Sequence, residues 1–480
     1  MSDKVAIRRL PSGVTGMDDL LGGGIPEFSF NLIAGAPGSG KTTLAHQIMF
    51  SLARPDWRAL FFTVLGEPPL KMLRYQQQFP FFDIDKVNQS IRFVSLAADV
   101  MAGDLKTVLA RIEKEVRQYS PSLVIIDSIR SLAESATASA STPLGLQQFV
   151  QQLGLHMTTW NTTTLLIGEY TPHEAESSPL FTAADGIVWM SQVVYRDSTV
   201  RKIQIAKMRG QAQKPGLHTF RISNEGVEIF PRAILSDVDL HFTGDERLSI
   251  GVPLLDEMLG GGLPVAYSLL LVGPSGSGKT VLATQFISEG ARIGEPGVVA
   301  AFEKSPNQLL SRELNELVHS GKVGLIDTRG LDLSIDETLH DLIVMIKRLK
   351  AKRVVIDSLS GFELALAPVF RENFRESLYG LVAVLTGMGV TVMMTSELED
   401  RYTDLRFSSY GNAFLADAII MQRYVELDGQ FKRVISVVKV RASSHSKDLR
   451  FYDIKDGRLE IEGTLGSYRG VLSGRPAGGT

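Results

Sequence analysis

Short unbroken apolar runs alternate along this chain with longer segments whose apolar residues suit amphipathic helices. In the first half the runs are FNLIAGA, RALFFTVL, SLVIID, TTLLIGE and GIVWM. The second half repeats them as SLLLVG, GVVAAFE, RVVIDS, TVMMTSE and AIIMQ. Runs of this length suit strands buried on both faces, and strand–helix alternation predicts an α/β fold with a mostly parallel central sheet flanked by helices. Late in each half, VRKIQIAKMRG and KRVISVVKVRA read as antiparallel additions at a sheet edge.

The two series are copies of one unit. Gly13 and Gly251, Asp18 and Asp256, Gly24 and Gly262, and Lys41 and Lys279 are all 238 positions apart. The offset drifts to 230 between Asp127 and Asp357 and to 232 between Lys207 and Lys439, as small loop insertions would cause. A period this long marks a duplicated domain rather than a solenoid repeat. The expected division is 1–235 and 236–480, with the seam near 231–247, where proline and charge interrupt the apolar runs.

Each half carries G-x-x-x-x-G-K-[ST] between a predicted strand and a predicted helix, the context that turns this pattern into evidence for a P-loop. The first copy holds Gly35, Gly38, Ser39, Gly40, Lys41 and Thr42, followed by Thr43. The second holds Gly273, Gly276, Ser277, Gly278, Lys279 and Thr280, followed by Val281. The glycines let successive backbone N–H groups face phosphates at the positive end of a helix. Lys41 and Lys279 are expected at the β/γ-phosphates of ATP, and Thr42 and Thr280 at Mg²⁺. A glycine turn that merely permits close strand–helix packing could give one copy; two copies at a fixed offset argue for a phosphate site. Asp127 and Asp357 each end an apolar strand downstream of a P-loop, where a carboxylate can hold the Mg²⁺ shell.

Composition narrows the alternatives. There is no cysteine, which removes disulfides, thiolate metal sites and cysteine nucleophiles. A formal charge of −3 gives no general attraction to nucleic acid or anionic lipid. With no apolar core of the signal-peptide kind at the N-terminus and no run of about 18 apolar residues, the expectation is a cytoplasmic protein without a membrane span.

With these residues in view, the chain resembles the KaiC family within the RecA-like superfamily. The lead-in Leu255 to Gly262, the paired P-loops, VVIDSLS and the lysine–x–arginine pair closing each half carry that likeness. The resemblance implies two tandem RecA-like P-loop domains stacked as hexameric rings, with ATP bound between neighbouring subunits. It implies that Lys207 and Arg209, and Lys439 and Arg441, reach the γ-phosphate of the adjoining subunit, where such cations stabilise transition-state charge. His445 and Lys447 match further cross-interface positions, which are Gln213 and Lys214 in the first half. A KaiB-like or signalling protein partner is implied as well.

The family's adjacent glutamates after the second strand fall here at Gly66-Glu67 and Glu303-Lys304, so each site keeps one, Glu67 and Glu303. A single carboxylate still activates water. Lys304 lowers the basicity expected of Glu303, and slow turnover follows. The family phosphosites fall at Ala413 and Phe414, which have no hydroxyl. Autokinase activity would need other positions, such as Ser408, Ser409 or Tyr410. Only RPAGGT follows YRGVLSG where the family's clock members carry a long tail, so the expectation is a KaiC-like signalling or timing ATPase rather than a clock component in the strict sense.

Two rival readings use the same nucleotide sites. An ATP-gated scaffold would assemble without hydrolysis. A nucleic-acid-dependent motor would need basic pore loops, but 131–146 has no lysine or arginine and 169–185 has four acids and no lysine or arginine. Segment 396–417 has five acids against Arg401 and Arg406. Such loops would repel a phosphate backbone, so no nucleic-acid partner is expected.

Overall fold

The computed structural model describes residues 7–64, 69–101, 105–132, 143–195, 198–232, 246–302, 312–327, 333–398, 416–427 and 429–465. The chain divides into two compact units, Met1–Arg232 and Ala233–Thr480.

In the first unit, β1 (Phe30–Gly35) is buried throughout and leads through the P-loop into α1 (Lys41–Leu52). Then come β2 (Ala59–Thr63), β3 (Ile91–Ser95), α2 (Leu105–Tyr119), β4 (Leu123–Asp127), α3 (Pro143–Thr159), β5 (Thr163–Glu169), β6 (Gly186–Tyr195), β7 (Ser198–Met208), β8 (His218–Ser223) and β9 (Gly226–Phe230). The nine strands are ordered β9-β8-β7-β6-β1-β5-β4-β2-β3. The six from β6 to β3 are parallel to their neighbours, while β7, β8 and β9 fold back antiparallel.

One sheet face packs on α1 through Leu44 and Ile48, the other on α2 and α3 through Val108, Ile112, Val116, Phe149 and Leu153. Covering both faces is what makes the central strands apolar on both sides.

The second unit repeats the plan: β10 (Ser268–Gly273), α4 (Lys279–Arg292), β11 (Gly297–Ala301), β12 (Val323–Asp327), α5 (Ile335–Leu349), β13 (Arg353–Asp357), α6 (Phe374–Gly387), β14 (Thr391–Glu397), β15 (Ala418–Leu427), β16 (Gln430–Val440), β17 (Arg450–Lys455) and β18 (Arg458–Thr464). Its order, β12-β11-β13-β14-β10-β15-β16-β17-β18, is the same topology. Leu282 and Phe286 of α4 cover one face; Leu339 and Leu342 of α5 and Leu378 and Leu381 of α6 cover the other.

The two lysine-rich strands depart from expectation. β7 and β16 are antiparallel as read, but they do not lie at the sheet edge, because a further hairpin is added outside each. Those hairpins, β8–β9 and β17–β18, mix polar with apolar residues, HTFRIS and GVEIF in the first and RFYDIK and RLEIEGT in the second, rather than forming apolar runs. The expected seam lies mostly in 233–245, outside the described residues.

Candidate functional site

Each P-loop crosses from the carboxyl end of the central strand to the amino end of the following helix. The N-cap residues Gly40 and Gly278 sit at φ 97° and 96°, a left-handed conformation closed to most side chains. A Cβ there would also stand 2.5 Å from Ile222 Cδ1 in the first unit and 2.6 Å from Ile454 Cδ1 in the second. Gly38 and Gly276 are exposed at the crest, while Ser39 and Ser277 are buried beneath it. The Ser39 hydroxyl has no hydrogen-bond partner among the described residues, whereas Ser277 donates to Gln422 Oε1 at 3.1 Å. Thr43 and Val281 are half-buried in the first helical turns.

The P-loop lysines are buried and fold over their own loops. Lys41 Nζ donates to the Ala36 carbonyl at 2.8 Å, and Lys279 Nζ to those of Gly273 and Pro274 at 2.8 and 2.9 Å. Thr42 Oγ1 donates to Asp127 Oδ2 at 2.8 Å, and Thr280 Oγ1 to Asp357 Oδ2 at 2.8 Å. A hydroxyl beside one carboxylate, with a lysine over a backbone nest, fits a hard cation that takes its remaining ligands from phosphate and water. The residues present therefore suit Mg²⁺-nucleotide in both units.

Burial pushes Lys41 down from the usual lysine range, opposed by the charges of Glu169 and Asp127. Burial pushes Asp127 up, opposed by the Thr42 hydroxyl and Lys41 and reinforced by Glu169.

Glu169 was not among the residues singled out from sequence. It ends β5 as the register partner of Gly35, and Glu397 ends β14 as the partner of Gly273. The available signal was that TTLLIGE and TVMMTSE both close on glutamate. A difference between the units was also missed. Thr395 donates to Asp357 Oδ1, so both Asp357 oxygens have hydroxyl partners; the matching position on β5 is Ile167.

The units differ again under the P-loop helix. In the second, Thr284, Val299 and Leu325 line a cavity of about 20 Å³ together with Thr280 and Asp357. In the first, the corresponding space is filled by His46, stacked on Phe61 at 4.7 Å, with Phe93 alongside.

The lysine–x–arginine pairs are not brought to the P-loop of their own unit. Lys207 is paired with Ile187, which is level with Leu32 on β1, and Arg209 N bonds to the Asp185 carbonyl beside Phe30. Arg441 has the same relation to Asp417 beside Ser268. Phe30 and Gly35, like Ser268 and Gly273, are five residue steps apart along the strand, about 17 Å. Arg209 and Arg441 thus lie at the sheet end opposite their own phosphate loop, while Lys207 and Lys439 are level with Leu32 and Leu270, about 10 Å of strand from Gly35 and Gly273. Arg209 and Arg441 bond to Asp185 and Asp417, each at 3.0 Å, and remain about 60% exposed (62% and 60%). Lys207 Nζ caps the Thr182 carbonyl at 3.1 Å and Lys439 Nζ that of Ala416 at 2.7 Å. Burial and the adjacent arginine push both lysines down, against the pull of Asp185 and Asp417.

His445 and Lys447 follow β16 on the same side as Lys439, where Ser446 N bonds to the Met258 carbonyl. Lys214, their counterpart in the first unit, pairs with Asp19 at 3.0 Å. Glu67, Glu303, Lys304, Ser408, Ser409, Tyr410, Ala413 and Phe414 lie outside the described residues.

Two RecA-like domains, each with a P-loop and a strand-end aspartate, define the class as a tandem-domain P-loop ATPase. The family model for the KaiC ATPase matches residues 10–234 and again 248–465. The chain belongs to the KaiC ATPase family. It is 28% identical over 485 residues to the circadian clock oscillator protein KaiC of Picosynechococcus sp., covering 98% of this chain and 92% of that protein. It is 28% identical to KaiC of Prochlorococcus marinus over 99% of this chain and 97% of that protein. The circadian clock protein KaiC3 of Synechocystis sp. is 29% identical over 98% and 95% of the two lengths. No helix among the described residues is long and apolar enough to cross a membrane.

Proposed function

We propose that this protein is a cytoplasmic, KaiC-like double-ring hexamer that binds Mg²⁺-ATP between subunits and hydrolyses it slowly in a signalling or timing role. The observation that carries the reading is the separation of Arg209 and Arg441 from the P-loop of their own unit by the length of a strand. A cation that cannot fold back onto its own site can serve the site of another copy. On this reading Thr42 with Asp127, and Thr280 with Asp357, hold the Mg²⁺ shell, and the cation supplies charge neutralisation at the phosphates. Lys41 and Lys279 orient the phosphates. Arg209 and Arg441 complete the neighbour's site, helped by Lys207, Lys439, His445 and Lys447. Glu67 and Glu303 act on the attacking water. A partner of the KaiB or signalling kind docks on the assembled ring.

Native mass measured with and without ATP and Mg²⁺ tests the assembly, and turnover by Lys41→Ala and Lys279→Ala tests the two sites. Hexamers formed on addition of nucleotide, with each substitution removing part of the turnover, are expected. Hexamers without hydrolysis would favour an ATP-gated scaffold. A chain that stays monomeric with saturating nucleotide would refute the shared site. Intact mass after incubation with ATP reads out autokinase activity directly.

A further inference from the structure

One corner of the repeated fold is filled in the first unit and open in the second. In both, a glutamine of the P-loop helix clasps the last strand of the sheet. Gln47 accepts from Val227 N at 2.8 Å and donates to the Val227 carbonyl at 3.2 Å. Gln285 accepts from Leu459 N at 2.8 Å and donates to the Leu459 carbonyl at 3.4 Å. Beside the first clasp, Phe50 packs on Phe81 and Phe82 with ring centroids 6.1 and 5.0 Å away. Gly226 makes room for them, since a Cβ there would stand 3.2 Å from Phe81. In the second unit Ser288 stands in place of Phe50, and Arg458 opens the last strand where Gly226 does in the first. The result is a pocket of about 370 Å³, within the range of small-molecule sites.

Its lining is charged and incompletely satisfied. Ser288, Glu289 and Arg292 line it from α4, Glu313 from the short helix Arg312–His319, and Lys322 and Arg458 from the ends of β12 and β18. The Ser288 hydroxyl is buried with no hydrogen-bond partner among the described residues. Arg292 holds Glu289 through two bonds of 2.8 and 2.7 Å. Arg458 meets Glu313 at only 3.4 Å and both are exposed, so that pair is weak and easily exchanged. Lys322 has no ion pair among the described residues. Three cations against two carboxylates leave one positive charge over.

We propose that this pocket binds a small phosphate ester of a polyol, in the second unit alone. Lys322 and Arg458 match a phosphate group that carries about two negative charges at neutral pH. The carboxylates of Glu289 and Glu313 and the hydroxyl of Ser288 are partners for the hydroxyls of the attached body. Inorganic phosphate would leave most of the volume unfilled and set two carboxylates against an anion with nothing to offset them. The site is separate from the P-loop: Ser288 lies nine residues beyond Lys279 on the same helix, about 14 Å along its axis.

The test is calorimetric titration of the full chain with glucose 6-phosphate, inorganic phosphate and glucose. The same titrations are made on Lys322→Gln, on Ser288→Phe, which rebuilds the aromatic plug of the first unit, and on a double variant, Lys41→Ala with Lys279→Ala, which disables both P-loops. Glucose 6-phosphate should bind the parent and the double variant alike. Its affinity should fall about tenfold or more in Lys322→Gln, the loss of one charge-assisted hydrogen bond, and vanish in Ser288→Phe. Should Ser288→Phe lose its native circular dichroism, Lys322→Gln decides alone. Glucose should not bind, and inorganic phosphate should bind about tenfold more weakly than the ester. Equal affinity for phosphate and ester would overturn the polyol assignment. Binding lost with the P-loop lysines but kept in Lys322→Gln would place the ester at a nucleotide site and overturn the inference. So would a parent that takes up none of the three at millimolar concentration.

Discussion

His46 gives the first unit a measurable sensitivity to acid. The ring, on the P-loop helix, is completely buried and stacked on Phe61, and neither ring nitrogen has a hydrogen-bond partner among the described residues. Burial alone pushes its pKa from 6.5 down to about 3. Between those values the unfolded chain binds a proton that the folded chain refuses. The native state is therefore fully favoured above about pH 6.5 and loses stability progressively as the pH falls toward 3. One pH unit below 6.5 costs about 1.4 kcal/mol, and the whole interval about 5 kcal/mol.

His46→Leu removes the titration while nearly conserving volume. All three tryptophans, Trp57, Trp160 and Trp189, lie in the first unit, so their fluorescence during urea unfolding reports that unit alone. Between pH 7.5 and 5.5 the parent should lose about 1.4 kcal/mol more than the variant. Parallel pH dependences in the two proteins would refute the reasoning, because they would mean that the ring finds a partner or water when charged.

Three further outcomes follow from contacts in the two units. Neither Arg441→Ala nor Lys279→Ala, each in a Lys41→Ala background, should turn over ATP appreciably; for a finger supplied in trans the loss is about 10³-fold or more. Mixing the two variants should restore part of the rate, since some interfaces then join an intact P-loop to an intact arginine; no recovery would count against sharing. Thr395→Val leaves one buried Asp357 oxygen without its hydroxyl and should cost about 1–3 kcal/mol, read by circular dichroism during denaturation of the second unit. Arg353→Met should cost about 3–5 kcal/mol by the same measurement, because Arg353 is fully buried, pairs with Glu295 at 2.9 Å and donates to the Ser249 and Phe286 carbonyls.

The central strands were legible because burial on both faces writes itself as an unbroken apolar run: LVIID and RVVID appear as β4 and β13. The outer strands were not. β3 reads IRFVS, with Arg92 and Phe93 only half-buried, and β17 and β18 alternate polar with apolar residues as strands near a solvated edge do. Their place beyond β7 and β16 depends on long-range pairing that local pattern does not encode. The P-loops and Asp127 and Asp357 were readable because backbone nests and strand-end carboxylates need particular residues at particular spacing. Glu169 and Glu397 were not, since a terminal glutamate gains meaning only once β5 is known to pair with β1. Nor does the sequence reveal that His46, Phe61 and Phe93 fill a space which Thr284, Val299 and Leu325 leave partly open.

The resting contacts of the lysine–x–arginine pairs bear on how a shared site could assemble. Arg209 and Arg441 are more than half exposed, and an exposed ion pair contributes only about 0–1 kcal/mol, so leaving Asp185 or Asp417 for a phosphate costs little. The carboxylates stay satisfied when the arginine departs. Asp185 Oδ2 accepts from Phe30 N at 3.1 Å, and Asp417 Oδ2 accepts from Ser268 N at 3.1 Å and Ser268 Oγ at 2.8 Å. Each aspartate thus has a second role, pinning the start of the P-loop strand from the end opposite the loop. In the assembly we propose, one short segment fixes the strand that carries its own nucleotide site and holds in reserve the cation destined for the next. Replacing Asp185 or Asp417 by asparagine would separate those roles, keeping the backbone bond while releasing the arginine's charge.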